Sequence, residues 1–403
     1  WMLLAHAECV PSNALGVKKP IYLSNLQLPE LSLYVHIPWC IRKCPYCDFN
    51  SHIAPNEIPE KDYTDTLLED FQQDLLWVQG RKISSIFFGG GTPSLFSGQS
   101  IRRVIQAAEK LVGFADDIEI TLEVNPGTAE QSRFKSYAES GVNRLSIGAQ
   151  TFNENHLTSL GRVHNGQEAL QAIETAKNSD INRINVDLMH GLKYQTVEDA
   201  LQDLALLIDA QVEHISWYQL TIEPNTVFYS DPPALPNEDV LFSIQQAGLN
   251  ALSEGGYEQY EVSAFTKPAG ESRHNVNYWK FGDYIGIGAG AHGKITCLAT
   301  QDIIRTQKTR QPKQYMKNKK GIGARQKSVP IKERPLEFMM NALRLRRGVP
   351  SSYYAKRTGL QIDSVLPTFK KLRQDGLWVS DSNKIGTSPF GYRFLNQVIQ
   401  NFS

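Results

Sequence analysis

Six short runs of apolar and β-branched residues recur between positions 31 and 220, and segments with helical spacing separate them. The runs are LSLYVHI (31–37), ISSIFF (83–88), IEITLEV (118–124), NRLSIGA (143–149), NRINVDLM (182–189) and HISWYQL (214–220). Between them lie stretches such as TVEDALQDLALLIDA, where Val197, Leu201, Leu204 and Ile208 share one helical face. Strands alternating with helices pair in parallel through right-handed crossovers. The expected fold is therefore α/β: a partial (β/α)6-type TIM barrel. A doubly wound sheet fits less well, because the first strand-to-helix turn lacks a GxGxxG.

Polar groups also recur where each strand ends. A cysteine loop follows the first strand and GGGTPS follows the second. Glu123 closes the third, Gln150 follows the fourth, and Asp187 and His190 end the fifth. Gln219 and Thr221 end the sixth. A barrel places its chemistry at that rim, since the loops there converge on the axis.

Three of the five cysteines, Cys40, Cys44 and Cys47, stand within eight positions in CIRKCPYC. Clustered thiols in a chain of this length indicate metal and a reducing compartment rather than a disulfide framework. A tetrahedral zinc would need a fourth ligand from His36, Asp48 or His52. A four-iron cluster would leave one iron without a cysteine, free to take an external ligand. Cys9 and Cys297 stand apart and are expected to be structural or incidental.

Acidic and basic residues balance at 42 each, which gives no global reason to expect nucleic acid or an anionic membrane as partner. From Arg305 to Arg347, however, 14 basic residues face two acidic ones. Residues 1–29 are expected to be a flexible N-terminal extension, and 30–265 the core barrel. Residues 266–334 would carry HNVNYW, a Gly-rich loop (YIGIGAGAHGK, 284–294) and an exposed basic linker over 305–334. Residues 335–403 carry short helical patterns and a possible wing, as in a small winged-helix-like α domain. No run approaches the roughly 20 apolar residues of a membrane span, so a cytoplasmic protein with at most peripheral membrane contact is expected.

The cysteine spacing after the first strand resembles the radical S-adenosylmethionine (SAM) superfamily. The words SLYVHIPWCIRKCPYCDFNSH, IFFGGGTPSLFS, GVNRLSIGAQTF, NVDLMHGLKYQT and HNVNYWKFGDYIGIGAGAHG narrow the match. They are similar to oxygen-independent coproporphyrinogen III oxidases and, more closely, to the HemW-type heme-chaperone branch. The likeness covers about residue 30 to the C-terminus. It implies a [4Fe-4S] cluster on Cys40, Cys44 and Cys47, with SAM chelating the open iron. It also implies Tyr34 packing beside SAM, Tyr46 against adenine, and Gly90, Gly91 and Thr92 receiving the methionine amino group. Glu123 would fix the ribose or amine, while Gln150, Arg162 and Asp187 match positions lining a second SAM site in the oxidase.

The oxidase carries another cysteine two residues beyond the last cluster cysteine; here that residue is Phe49. The HNxxYW word, His274 to Trp279, marks the chaperone branch instead, with His274 as candidate axial heme ligand and His292 as a second. The resemblance thus implies heme, a heme acceptor protein, and an electron donor such as flavodoxin, ferredoxin or a quinone-linked reductase. Coproporphyrinogen III oxidation is the alternative, and a zinc-stabilised binding module a third class. No nucleic-acid partner is expected.

Overall fold

The computed structural model describes residues 25–127, 131–317 and 325–403. The six strands form as β1 (Leu31–Ile37), β2 (Ile83–Gly90), β3 (Phe114–Val124), β4 (Arg144–Gln150), β5 (Arg183–His190) and β6 (His214–Gln219). Each pairs in parallel with the next. The crossovers carry α1 (Glu60–Gln73), α2 (Gly98–Leu111), α3 (Phe134–Glu139), α4 (Glu154–Ser159), α5 (Gly166–Lys177) and α6 (Val197–Asp209). Two of these helices start on reciprocal caps, Asn165 with Glu168 and Thr196 with Asp199.

Strand alternation separates the two jobs of the sheet. In β1, Leu31, Leu33, Val35 and Ile37 join Leu67 and Phe71 of α1 and Ile101 of α2 in the main core. Burying each of those aliphatic side chains stabilises the fold by roughly 1.5–3 kcal/mol. The intervening Ser32, Tyr34 and His36 occupy the opposite face. Their polarity is affordable only because each finds a partner: Ser32 Oγ lies 2.7 Å from Ser85 Oγ, and Tyr34 Oη 3.0 Å from His36 Nδ1.

Beyond β6 and α7 (Glu238–Glu254), the hairpin β7 (Glu258–Glu261) and β8 (Ala264–Thr266) adds antiparallel to β6. The helix α8 (Arg273–Trp279) then leads to β9 (Asp283–Ile287), which pairs in parallel with the other edge of β1. Strands β10 (His292–Cys297), β11 (Asp302–Gln307) and β12 (Arg325–Ser328) continue antiparallel from there. Residues 284–294 are thus strand, turn and strand rather than a glycine loop. Their glycines permit close approach: a side chain at Gly286 would collide with the His292 carbonyl of the neighbouring strand.

The expectation of an exposed basic linker over 305–334 also needs correction. Lys308 is buried between Asp70 (2.5 Å) and Asp74 (2.7 Å) of the first crossover. Arg305 pairs with Glu337 at 2.6 Å, and buried Arg334 with Asp302 at 2.8 Å. Charge density alone does not report exposure when each cation has a carboxylate waiting in another element. β12 is exposed throughout, while residues 318–324 lie outside the described residues.

The C-terminal region packs helices Arg334–Ala342, Ser352–Thr358, Leu366–Gln374 and Leu395–Gln400 beside a two-stranded ladder, Val349–Pro350 with Lys384–Ile385. Its core is shared. Phe338, Tyr354 and Trp378 belong to one cluster with Tyr260, Val276, Phe281 and Ile303 from the preceding segment. Leu26 is buried in the same cluster, and the Gln27 N–H donates to the Lys356 carbonyl at 2.8 Å. The expected extension therefore includes a packed stretch at 25–29; residues 1–24, with Cys9, lie outside the described residues. Cys297 is fully buried. Among the described residues no helix is long and apolar enough to cross a membrane.

Candidate functional site

The C-terminal ends of the parallel strands surround a cavity of about 440 Å³, within the usual size of a small-molecule site. Cys40, Cys44, Cys47 and Tyr46 line it from the loop after β1, and Gly90, Gly91 and Thr92 from the end of β2. Glu123, Gln150, Asp187 and Arg162 line it from β3, β4, β5 and the segment after α4. Sequence positions 147 residues apart, such as Cys40 and Asp187, meet there because parallel pairing points every strand's end the same way.

The cysteine loop is held open for binding. All three thiols are free and partly exposed. Arg162 Nη1 lies 3.6 Å from Cys44 Sγ, and Ser51 Oγ 3.7 Å from Cys47 Sγ. Burial pushes the Cys40 and Cys47 thiols up, against hydrogen bonds from Thr92 and Ser51 respectively. A soft metal centre overcomes that by displacing the protons. Zinc ligation by His36 fails on geometry: its Nδ1 meets Tyr34 Oη and its Nε2 the Asn50 carbonyl, both at 3.0 Å. Burial lowers His36 to a pKa of about 4, so it stays a neutral spacer.

Glycine is required opposite this loop. A Cβ on Gly91 would stand 2.6 Å from the Trp39 carbonyl, and one on Gly90, at φ +115°, 2.5 Å from the His36 ring. The backbone there donates into the site's surroundings: Gly90 N–H reaches Glu123 Oε2 at 3.2 Å. Burial, then Asp187, raises Glu123 to a pKa of about 8, with the Gly90 bond opposing. Burial likewise raises Asp187, although Asn185 Nδ2 (2.8 Å) and Ser146 Oγ (3.1 Å) donate to it. Two desolvated carboxyls facing one cavity favour a ligand with a positive charge or hydroxyl groups.

Arg162 is no surface residue. Its Nη2 donates to Asn125 Oδ1 (2.8 Å) and the Gly148 carbonyl (2.7 Å), while buried Nε has no partner. Gln150 sits at φ +70° and accepts from Tyr218 Oη at 2.7 Å. A non-glycine residue in that left-handed conformation stores strain, a recurrent feature of binding sites. Asn125 directly follows β3 and Tyr218 lies within β6, and no spacing in the sequence singles either one out.

Three expected residues fall elsewhere. Tyr34 is not among the residues lining the cavity: its ring stacks on Phe87 at 6.4 Å, and its Oη bonds His36, the ring behind Gly90. His190 packs on Trp217, ring centroids 4.1 Å apart. His274 is corrected outright as an axial ligand. Its ring is sealed at 1% exposure, with Nδ1 2.9 Å from Ser85 Oγ and Nε2 2.8 Å from Tyr278 Oη. In the same helix Asn277 Nδ2 donates to Ser32 Oγ (2.8 Å) and the Asp283 carbonyl (2.9 Å). The HNxxYW word thus bonds α8 to β1, β2 and the start of β9.

The residues present fit an iron–sulfur cluster with an exchangeable small ligand. They supply three soft thiols on one loop, bare glycine backbone at Gly90 and Gly91 where His36 and Trp39 leave no room for a Cβ, an unpartnered buried Arg162 Nε and an acidic pair. A partial parallel barrel so furnished defines a radical SAM protein. The Radical SAM superfamily model matches residues 34–207, and that of the HemN C-terminal domain residues 329–394. The coproporphyrinogen III oxidase HemN of Escherichia coli superimposes with a TM-score of 0.77 at 22% identity, over 93% of this chain and 90% of that one. Heme chaperone HemW of Haemophilus influenzae is 48% identical over 380 residues, 93% of this chain and 98% of that protein. Heme chaperone HemW of Escherichia coli is 45% identical over 377 residues, covering 94% and 99%. The chain belongs to the HemW family.

Proposed function

We propose that this protein is a heme chaperone, binding heme and passing it to an acceptor protein. The observation that carries this reading is the 48% identity to a heme chaperone along nearly its whole length. Cys40, Cys44 and Cys47 would anchor the [4Fe-4S] cluster. Tyr46 would lie against the SAM adenine, Gly90, Gly91 and Thr92 would receive its amino group, and Glu123 would hold its ribose or amine. Gln150, Arg162 and Asp187 would line the same cavity, at the positions that match a second SAM site in the oxidase. A cluster with one iron lacking a protein ligand supplies a docking point for SAM and one-electron reducing power.

Around that cluster the chain's own groups act by placement. Arg162 sets a positive charge against Cys44. An electron donor such as flavodoxin, ferredoxin or a quinone-linked reductase would keep the cluster reduced, and the reducing cytoplasm suits free thiols.

Anaerobic reconstitution followed by heme titration and mixing with an apo-acceptor tests the reading. Stoichiometric heme uptake and transfer are expected. A parallel incubation with coproporphyrinogen III, SAM and a reductant should yield no protoporphyrinogen; its formation without heme transfer would replace the chaperone with an oxidase.

A further inference from the structure

A heme is a flat apolar macrocycle with two carboxylates on one edge and an iron that accepts a neutral imidazole nitrogen. A chain that must both take up and release it needs an accessible ligand. The sequence has nine histidines, of which His6 lies outside the described residues. Six of the other eight are buried, and the Nε2 of partly covered His52 is buried as well. His292 alone is exposed among the described residues.

His292 opens β10, directly after the turn that leaves β9. Partial burial, and after it the charges of Arg305 and Arg310, lowers its pKa, keeping a lone pair free. Asn50 ties this turn to the cluster loop: its Nδ2 donates to the Ala289 and Arg310 carbonyls, each at 2.9 Å. That approach depends on Gly290, where a side chain would overlap the Asn50 amide. In the chain next to Asn50 stands Phe49, 58% exposed, and three residues on stands Ile53, 70% exposed. The segments that carry an accessible imidazole, the exposed Phe49 and Ile53 and the exposed cation Arg310 are therefore tied together through Asn50, with Phe49 at the cavity itself.

We propose that His292 is the axial ligand through which this protein holds heme, with Phe49 and Ile53 against the macrocycle and Arg310 meeting a propionate. The site rests on the heme-chaperone reading above. Binding is a ligand exchange in which the imidazole lone pair replaces water on the iron, with no electron transferred. Such a ligand on an open face also leaves the heme within reach of an acceptor.

The test is anaerobic titration of full-length, cluster-reconstituted protein with ferric heme, read by Soret absorption and EPR. His292→Ala should shift the Soret band and weaken binding at least about tenfold, with iron and sulfide contents unchanged. Added imidazole should restore the wild-type band. Arg310→Ala should weaken binding without moving the band. A His292→Ala variant with wild-type affinity and spectrum overturns this site and leaves the chaperone reading standing. A shifted band that imidazole fails to restore overturns direct ligation. Wild-type protein that takes up no heme sinks both.

Discussion

A carboxyl buried without a cation is an unstable arrangement, and Glu123 shows what it implies. Its pKa is raised from 4.5 to about 8, so between those values the folded state holds a proton that the unfolded chain releases. Its contribution to the stability of the ligand-free protein is therefore fully present at low pH and lost as pH rises toward 8. Glu123→Gln should remove that slope, making the ligand-free variant more stable than wild type at pH 8.5 in urea titrations. If Glu123 holds SAM, the same variant should bind it on the order of tenfold more weakly by calorimetry. Gly91→Ala probes the opposite wall. A Cβ placed 2.6 Å from the Trp39 carbonyl should cost about 1–3 kcal/mol of stability and impair SAM binding, read by chemical denaturation and equilibrium dialysis. Much of this site was legible, because cysteine spacing and strand-end residues are local features. The fates of Tyr34 and His274 were not. Whether a ring faces a cavity or a neighbouring hydroxyl depends on elements far away in sequence, here Ser85 in β2 for His274.

Among the elements, the parallel strands were readable from apolar runs, whereas helix faces and added strands were less so. In α6 the buried side centres on Ala200, Asp203, Leu204 and Leu207, a rotation from the face through Val197, Leu201, Leu204 and Ile208. Asp203 belongs inside because its Oδ1 accepts the Phe152 N–H at 2.8 Å, which hydrophobic spacing does not reveal. β9 was hidden in a glycine-rich stretch, and β11 by running into the start of the basic tract at Arg305. At the end of β11, Lys308 binds Asp70 and Asp74, and Tyr315 Oη donates to Asp70 at 2.6 Å. Lys308→Met would leave two carboxyls buried without their cation, at a cost of roughly 3–5 kcal/mol. Burial already raises Asp70, and raises Asp74 from 3.8 to about 6, with Lys308 opposing in both cases. Without that cation both rise further, so the loss should be larger at pH 8 than at pH 5, where protonated carboxyls need no partner. Denaturation midpoints at the two pH values measure it.

At the scale of the molecule, the barrel and the C-terminal region are joined by apolar contact as well as by chain. Val276 and Phe281 near α8, Ile303 of β11 and Leu26 share a core with Phe338, Met339 and Tyr354. Truncation after Ser328 should therefore expose that half of the core and give a product that aggregates or binds a hydrophobic dye, rather than a stable isolated barrel. A soluble, cooperatively melting 1–328 fragment with wild-type iron content would contradict this.

The sequence by itself determined the alternation of strands and helices, the cysteine triad and the glycine turn, since each is written in neighbouring residues and acts over a few ångströms. Only the tertiary structure decided which polar side chains share the cavity, which basic residues are buried, and which histidine stays open. Those outcomes depend on desolvation and on partners supplied by distant segments, and neither quantity exists until the chain has closed.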